Sequence, residues 1–384
     1  MVEAVIVDGV RTAVGRRKGA LSHYRAEDLA AQPLKELVKR TGIDPAVIDD
    51  VILGCVTQTG EQGGVIARQA ALIAGFPLEV PGTTIDRQCG SSQQAVHFAA
   101  QAVLAGDMDV VVAGGVESMT RVPMFSNRQN VDYSPQLTAK YDMVNQGISA
   151  EMIADKWNIS RQQMDEFSLE SHRRALEAQK NGHFDNEIMP LEVTLDDGST
   201  ITFSEDEGPR ADTTIDIMTS LNPVFKEDGK VTAANSSQMS DGAGALLIMS
   251  DTKARELGLK PRFRITARTV VGSDPTLMLT GVIPATEKVL EKAGLSIDDI
   301  DVFEVNEAFA PVTLSWLEET GADPKKLNPN GGAIALGHPL GASGARLMLT
   351  LMNELERTGG RYGLQTMCEG FGMANATIIE RIDD

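Results

Sequence analysis

The sequence predicts an α/β protein built from two related βαβαβ-like halves, with an insertion interrupting the first. Three observations carry this. Short apolar runs alternate with amphipathic segments through the opening third, the pattern of residues 34–51 returns at residues 289–302, and the rhythm fails between about residues 118 and 234. Alternating strand and helix signals imply a mostly parallel sheet covered by helices, because parallel neighbours need a crossover that a helix supplies.

Residues 4–7 form a first short apolar run, with an acidic residue, Glu3 and Asp8, at each end. Residues 26–40 carry Leu29, Leu34, Leu37 and Val38 at helical spacing, 51–53 read as a strand, and 65–73 are helical again. Residues 83–86 lead into Cys89, after which 91–104 form an Ala-rich helix and 110–113 a β-branched strand closed by Gly114-Gly115. The middle holds a polar stretch at 121–141, helices at 150–157 and 161–180, and an acidic, turn-rich segment at 196–210. It is expected to lie over the sheet units, where binding loops usually sit.

The repeat is read by aligning Asp50-Val51 with Asp301-Val302. In that register Gly42-Ile43 is echoed by Gly294-Leu295, and Cys55 falls opposite Asn306. Gly90-Ser91-Ser92-Gln93 faces Gly341-Ala342-Ser343-Gly344, each opening an apolar helix. The expected organisation is a first half at 1–117, completed by about 235–262, an inserted loop domain at 118–234, and a second half at 263–384.

A chain of 384 residues buries a sizeable core, and 42% hydrophobic with 23% charged residues is ordinary for a globular protein. The formal charge of −19 argues against nucleic acid, whose binding depends on counterion release by a basic surface. An anionic ligand would have to be met by a few local arginines and helix N-termini. The cysteines Cys55, Cys89 and Cys368 are few, odd in number and widely spaced, which favours a reduced compartment over a disulfide framework. The N-terminus does not read as a signal peptide, and the last residues carry no peroxisomal address. Apolar stretches such as 110–115 are far too short to cross a bilayer, so the expected location is cytoplasmic, without membrane partners.

Cys89 stands in Asp86-Arg87-Gln88-Cys89-Gly90-Ser91-Ser92, after a predicted strand and at a predicted helix start. Unpaired backbone N–H groups and the helix dipole there favour a thiolate, hence a nucleophile; the alternative is a small buried apolar residue. His338 lies in the glycine-rich run 330–344 with Pro339 behind it, a rigid loop holding one polar group in a crowded place. Neither dinucleotide nor P-loop spacing occurs there, which leaves a phosphate cradle as a weak competitor. His23, His97, His172 and His183 lack such surroundings and read as surface or packing residues. Cys368, in Met367-Cys368-Glu369-Gly370-Phe371-Gly372-Met373-Ala374, is by itself compatible with a structural role. Asn306-Glu307-Ala308-Phe309-Ala310 follows a strand at 302–305 and alone could be a capped turn. Cys55 reads as structural.

Together, the Cys89 motif, the Asn306–Ala310 motif, the Gly-Gly-Ala-Ile-Ala-Leu-Gly-His-Pro run ending at Pro339, and Cys368-Glu-Gly-Phe-Gly resemble the four catalytic loops of the thiolases. The resemblance spans essentially the whole chain, including Arg11-Thr12 and the 235–242 stretch. It implies a five-layered α-β-α-β-α core and a metal-free acyltransferase with no bound cofactor and coenzyme A as co-substrate. By the same resemblance the partners are 3-ketoacyl-CoA, acetyl-CoA and CoA, and the chain forms a homo-oligomer, tetramer or dimer. Cys89 would be the acylated nucleophile, His338 its base, and Cys368 the acid/base at the acetyl-CoA carbon. Asn306 would hold a water at the enolate oxygen, and backbone N–H groups of Cys89 and Gly370 would form a second oxyanion hole. Arg210 and Ser237 match coenzyme A contact positions.

Phe371 and Ala374 replace glycines usual in the last loop, and Asn145-Gln146-Gly147 stands where small acetoacetyl-specific thiolases tend to carry His-Met-Gly. The Asn145-Gln146-Gly147 run, together with a 121–141 segment that looks shortened relative to those enzymes, resembles degradative thiolases for larger acyl groups, including actinobacterial enzymes of sterol breakdown, and Phe371 adds bulk beside the reacting centre. Three rivals are a ketoacyl synthase of the same fold, a cysteine hydrolase using Cys89 and His338, and a non-catalytic acyl-CoA-binding relative. Cys368 as a second thiol speaks against the first. A hydrolase would need no free coenzyme A, and a binding protein would form no adduct on Cys89.

Overall fold

A computed structural model describes residues 2–129, 131–195 and 197–383. Met1, Asn130, Asp196 and Asp384, which fall within the N-terminal reading, the polar stretch, the acidic segment and the C-terminal reading, lie outside the described residues.

In chain order the first half contains β1 (Ala4–Thr12), α1 (Ala26–Thr41), β2 (Asp50–Gly54), α2 (Ile66–Ile73), β3 (Gly82–Ile85), α3 (Ser91–Ala105) and β4 (Val110–Ser118). Helices α4 (Gln146–Lys156) and α5 (Arg161–Lys180) follow, then β5 (Ser240–Ser250). The rest is β6 (Phe263–Gly272), α6 (Val282–Ala293), β7 (Val302–Val305), α7 (Ala310–Thr320), α8 (Ser343–Thr358), β8 (Tyr362–Glu369) and β9 (Met373–Arg381). Local chemistry accounts for several boundaries. Gly42 ends α1 at φ 68°, donating its N–H to Val38, and Ser160 with Gln163 forms a reciprocal cap on α5.

The strands run β7-β8-β9-β6-β1-β5-β4-β2-β3, and β5 returns after the loop region to lie between β1 and β4. The two halves mirror each other about the β6–β1 seam, where Val5 pairs with Arg264 and Ile6 with Phe263, except that β3 at the outer edge of the first half has no matching strand in the second. The sheet is mixed, which corrects the expectation of a mostly parallel one. Only β2 with its neighbours β3 and β4, and β7 with β8, are parallel among these strands, whereas β4-β5-β1-β6-β9-β8 runs antiparallel throughout. β5 and β6 pair only with strands distant in sequence, so no local pattern announces their direction.

Period-two alternation places successive side chains on opposite faces and so builds the layers. Val51, Leu53, Val110 and Val112 pack outward against Leu29, Leu34 and Leu37 of α1 and Ile66 of α2. Ile52, Val111 and Ala113 face inward, onto a central layer formed by Val96 and Val103 of α3 and Met348, Leu351 and Met352 of α8. On the far side Phe303, Val305 and Ile378 meet Val282 and Val289 of α6 and Trp316 of α7. The order is helices, sheet, helices, sheet, helices, the expected five layers.

Gly114-Gly115 does not close the fourth strand, which runs on to Ser118. These glycines allow close approach: a Cβ on Gly114 would run into the carbonyl of Gly244, and one on Gly115 into that of Gly341. No described helix is long and apolar enough to cross a membrane.

Candidate active site

Cys89 sits between the C-terminal end of β3 and α3, at a turn forced by Gln88 at φ 47°. Gly90 follows because a Cβ there would strike the Glu369 carboxyl and the Asn375 amide; the Asn375 amide instead donates to the Gly90 carbonyl at 2.9 Å. The thiol is buried, and burial pushes its pKa well above the ordinary thiol value, with Cys368 and Glu369 adding to the rise. This corrects the expected resting thiolate: desolvation outweighs the helix terminus, and Cys89 carries its proton until a base removes it.

His338 lines a cavity that Cys89 also lines, and its tautomer follows from its neighbours. Ser343 Oγ donates its single hydrogen to the Pro339 carbonyl at 2.8 Å, so toward His338 Nδ1, 2.6 Å away, it acts as acceptor. The ring hydrogen is thereby assigned to Nδ1, and Nε2 is left as an acceptor. Asn306 Nδ2 donates to Nε2 across a long 3.4 Å contact, while Asn306 Oδ1 is buried without a hydrogen-bond partner among the described residues. Burial, with Arg346 behind it, lowers the His338 pKa to about 3, so the imidazole is neutral at rest.

Cys368 is carried in at the end of β8 and is fully buried, close enough to Cys89 to add to the rise of its pKa. Burial pushes its pKa up to about 12. Gly370 lines the same cavity as Cys89. Phe371 follows at φ 66°, a left-handed conformation unusual for an aromatic residue. Its ring packs edge-on against Tyr133, with centroids 5.9 Å apart. Ala374 pairs with Cys368 across β8 and β9 and is buried.

Two buried carboxylates that sequence reasoning did not single out tie these loops together. Glu117 accepts from Val56 N and Gly341 N at 2.9 Å and from Thr57 N at 3.0 Å, joining the first half to the glycine-rich loop of His338. Glu307 accepts from Ser171 Oγ at 2.7 Å, Asn328 Nδ2 at 2.9 Å and Ile334 N at 3.2 Å, fixing the Asn306 loop to the same run. A signal existed for Glu307, which stands inside the Asn-Glu-Ala-Phe-Ala motif. Glu117 had one only in the repeat register, where it falls opposite Cys368.

Two cavities meet at Cys89. One, of about 420 Å³, is lined by Val56, Met124, Arg128, Tyr133, Met278 and Phe371, among others. The other, of about 250 Å³, is lined by His338, Ser237, Phe225, Phe309 and Met239. Asn145 and Gln146 border both. Ser237 therefore stands beside the His338 cavity, but Arg210 does not: it is exposed on a separate hollow with His172 and Ile217, sharing only Gln238 with that cavity. His97 and His183 pack against Thr377 and Asn330, as expected of structural histidines, and Cys55 is buried.

The thiolase N-terminal domain family matches residues 4–252 and the thiolase C-terminal domain family residues 259–381. The chain belongs to the thiolase family. It is 52% identical to the steroid 3-ketoacyl-CoA thiolase FadA6 of Mycobacterium tuberculosis, over 100% of this chain and 95% of that protein. It is 46% identical to a 3-ketoacyl-CoA thiolase of Aliivibrio fischeri, over 99% of this chain and 100% of that one. Among solved structures, the acetyl-CoA acetyltransferase of Bacillus anthracis superimposes with a TM-score of 0.92 at 40% identity, covering 100% of this chain and 99% of that one. The thiolase resemblance of the four motifs thus extends over the full length of the chain.

Proposed function

We propose that this thiolase cleaves a 3-ketoacyl-CoA with coenzyme A into acetyl-CoA and a shortened acyl-CoA, or runs the reverse condensation, through an acyl group on Cys89. The observation that carries this reading is the relay from Pro339 through Ser343 to His338 Nδ1, which leaves Nε2 able to take a proton at a cavity that Cys89 also lines.

In the cleavage direction Cys89 Sγ adds to the ketone carbon as its proton passes to His338 Nε2. The backbone N–H groups of Cys89 and Gly370 hold the resulting oxyanion. The bond to the acetyl-CoA carbon then breaks. Protonated His338, with a water held by Asn306, stabilises the enolate oxygen, and the unpaired Asn306 Oδ1 supports that water site. Cys368 protonates the carbon; a thiol held near 12 surrenders its proton only to a strong base, which an enolate carbon is. Coenzyme A then attacks the Cys89 thioester, its thiol proton restoring Cys368 and the His338 proton returning to Cys89. Coenzyme A enters along the Ser237 side, with residues 118–234 as the covering insertion and Arg210 as the cation offered to its phosphates. The acyl group, larger than acetyl, occupies the cavity edged by Phe371. The enzyme acts as a homo-oligomer.

Intact-mass analysis after mixing with a 3-ketoacyl-CoA, without free coenzyme A, tests this. An acyl adduct on Cys89 is expected, discharged when coenzyme A is added, absent in Cys89→Ala and slow to form in His338→Ala. Cys368→Ala should accept an acyl group from a simple acyl-CoA yet fail at carbon–carbon cleavage. An undiminished adduct in Cys89→Ala would remove the assignment of the nucleophile, and full cleavage by Cys368→Ala would remove its acid/base role.

A further inference from the structure

The larger cavity runs from Cys89 along an apolar wall that includes Val56, Met124 and Met278, and among its lining residues Arg128 is the one cation. Its guanidinium lies over the Tyr133 ring, 4.1 Å from the centroid, and one nitrogen donates to the Val131 carbonyl at 2.8 Å. Tyr133 in turn packs against Phe371, so Arg128 is braced through two rings against the loop that follows Cys368. No ion pair to Arg128 occurs among the described residues. That is unexpected in a chain with 54 acidic residues against 35 basic ones. Arg121, seven positions earlier, forks onto Glu61 at 2.5 and 3.0 Å. The only anion on the same cavity wall, Asp86, is three residues before Cys89 and accepts from Gln88 N at 2.7 Å.

An arginine held over an aromatic ring, with donors left over and no carboxylate of its own among the described residues, matches a planar anion in charge and in its fork of donors. We propose that Arg128 receives a carboxylate at the far end of the acyl group, making the substrate class 3-ketoacyl-CoA esters with a terminal carboxylate instead of a methyl. This rests on the thiolase reading above and deepens it. Phe371 and Tyr133 supply the apolar flank for the intervening carbons, and Asp86, near the reacting end, repels a carboxylate that enters reversed.

The test compares thiolysis of matched 3-ketoacyl-CoA pairs, methyl-ended and carboxylate-ended, over a range of chain lengths. The wild-type enzyme is expected to favour the carboxylate-ended member in kcat/KM by about tenfold to a hundredfold at its best length, the range for a hydrogen-bonded charge pair. Arg128→Gln and Arg128→Ala should lose that preference while keeping turnover of the methyl-ended member, and Arg128→Lys should keep part of it. Retained methyl-ended activity in the same variants rules out misfolding as the cause. Absence of preference in the wild-type enzyme, or an equal loss for both members in the variants, overturns the proposal. So does a raised KM for coenzyme A with either member, which would assign Arg128 to the nucleotide phosphates. Failure of every pair to acylate Cys89 would instead overturn the thiolase reading beneath it.

Discussion

Glu369 illustrates how position alone changes what a side chain can do. Its two carboxyl oxygens are buried without hydrogen-bond partners among the described residues, against Gly90 and between the two cysteines' loops. Burial pushes its pKa up to about 9, only partly opposed by Arg87, with Asp86 adding to the rise. A neutral acid next to Cys89 spares the forming thiolate a like charge, which a carboxylate would impose. The folded protein therefore holds a proton that the unfolded chain releases near the ordinary carboxyl value of 4.5. By linkage, that stabilisation is full below the lower value and declines as pH rises toward the higher one. Glu304, pushed up to about 8 by burial, declines in the same window, so the informative quantity is a difference between two proteins. Between pH 5 and about 9 the melting temperature of wild-type should fall relative to Glu369→Gln. Parallel curves would mean that Glu369 is ionised throughout.

At the level of helices and strands, positions with equal composition carry unequal costs. Gly42 and Gly115 are both glycine, for different reasons: Gly42 closes α1 at φ 68° with open space around its Cα, whereas Gly115 lies in mid-strand against the Gly341 carbonyl. Gly42→Ala should cost about 1 kcal/mol, the ordinary penalty for a side chain in the left-handed region. Gly115→Ala forces backbone against backbone and should cost about 3 kcal/mol, the upper range for overpacking. Denaturant titration of both variants checks this, and equal losses would show that the strand yields freely at Gly115. Most helices were legible because their apolar spacing and caps are local. The fourth strand was read short, since two consecutive glycines signal a turn in sequence and a close crossing only in three dimensions.

The largest error concerned the assembly of the two halves. Runs such as those of β5 and β6 say that a strand is buried but not which neighbour it takes, so the antiparallel centre of the sheet was invisible. One buried network ties β1 to segments distant in sequence. Arg11 on β1 forks onto Asp206 at 2.7 and 2.9 Å and reaches Glu187 at 2.8 Å, and Glu187 also accepts from Thr350 on α8 at 3.0 Å. All four residues are buried. Removing the cation would leave two carboxylates unpaired in the interior, a loss of about 3–5 kcal/mol. Arg11→Met should thus lower the unfolding midpoint far more than Arg121→Met, because the Arg121 side chain is 29% exposed whereas that of Arg11 is 1% exposed. Calorimetry on the two variants decides it; similar shifts would mean that water reaches the Arg11 cluster.

The order of four motifs, the duplicated pattern and the identities of two thiols, an imidazole and an amide were all readable along the chain, because residue type and local spacing dictate which elements form and which chemistry each side chain can perform. Their protonation states and companions were not. Cys89 loses its expected thiolate to burial, Ser343 assigns the His338 hydrogen, Glu117 and Glu307 bind the loops from elements far away in sequence, and Arg128 finds a ring where a carboxylate was available elsewhere. Desolvation and hydrogen bonding depend on which distant segments close around a group, and that is settled only when the two halves pack against each other.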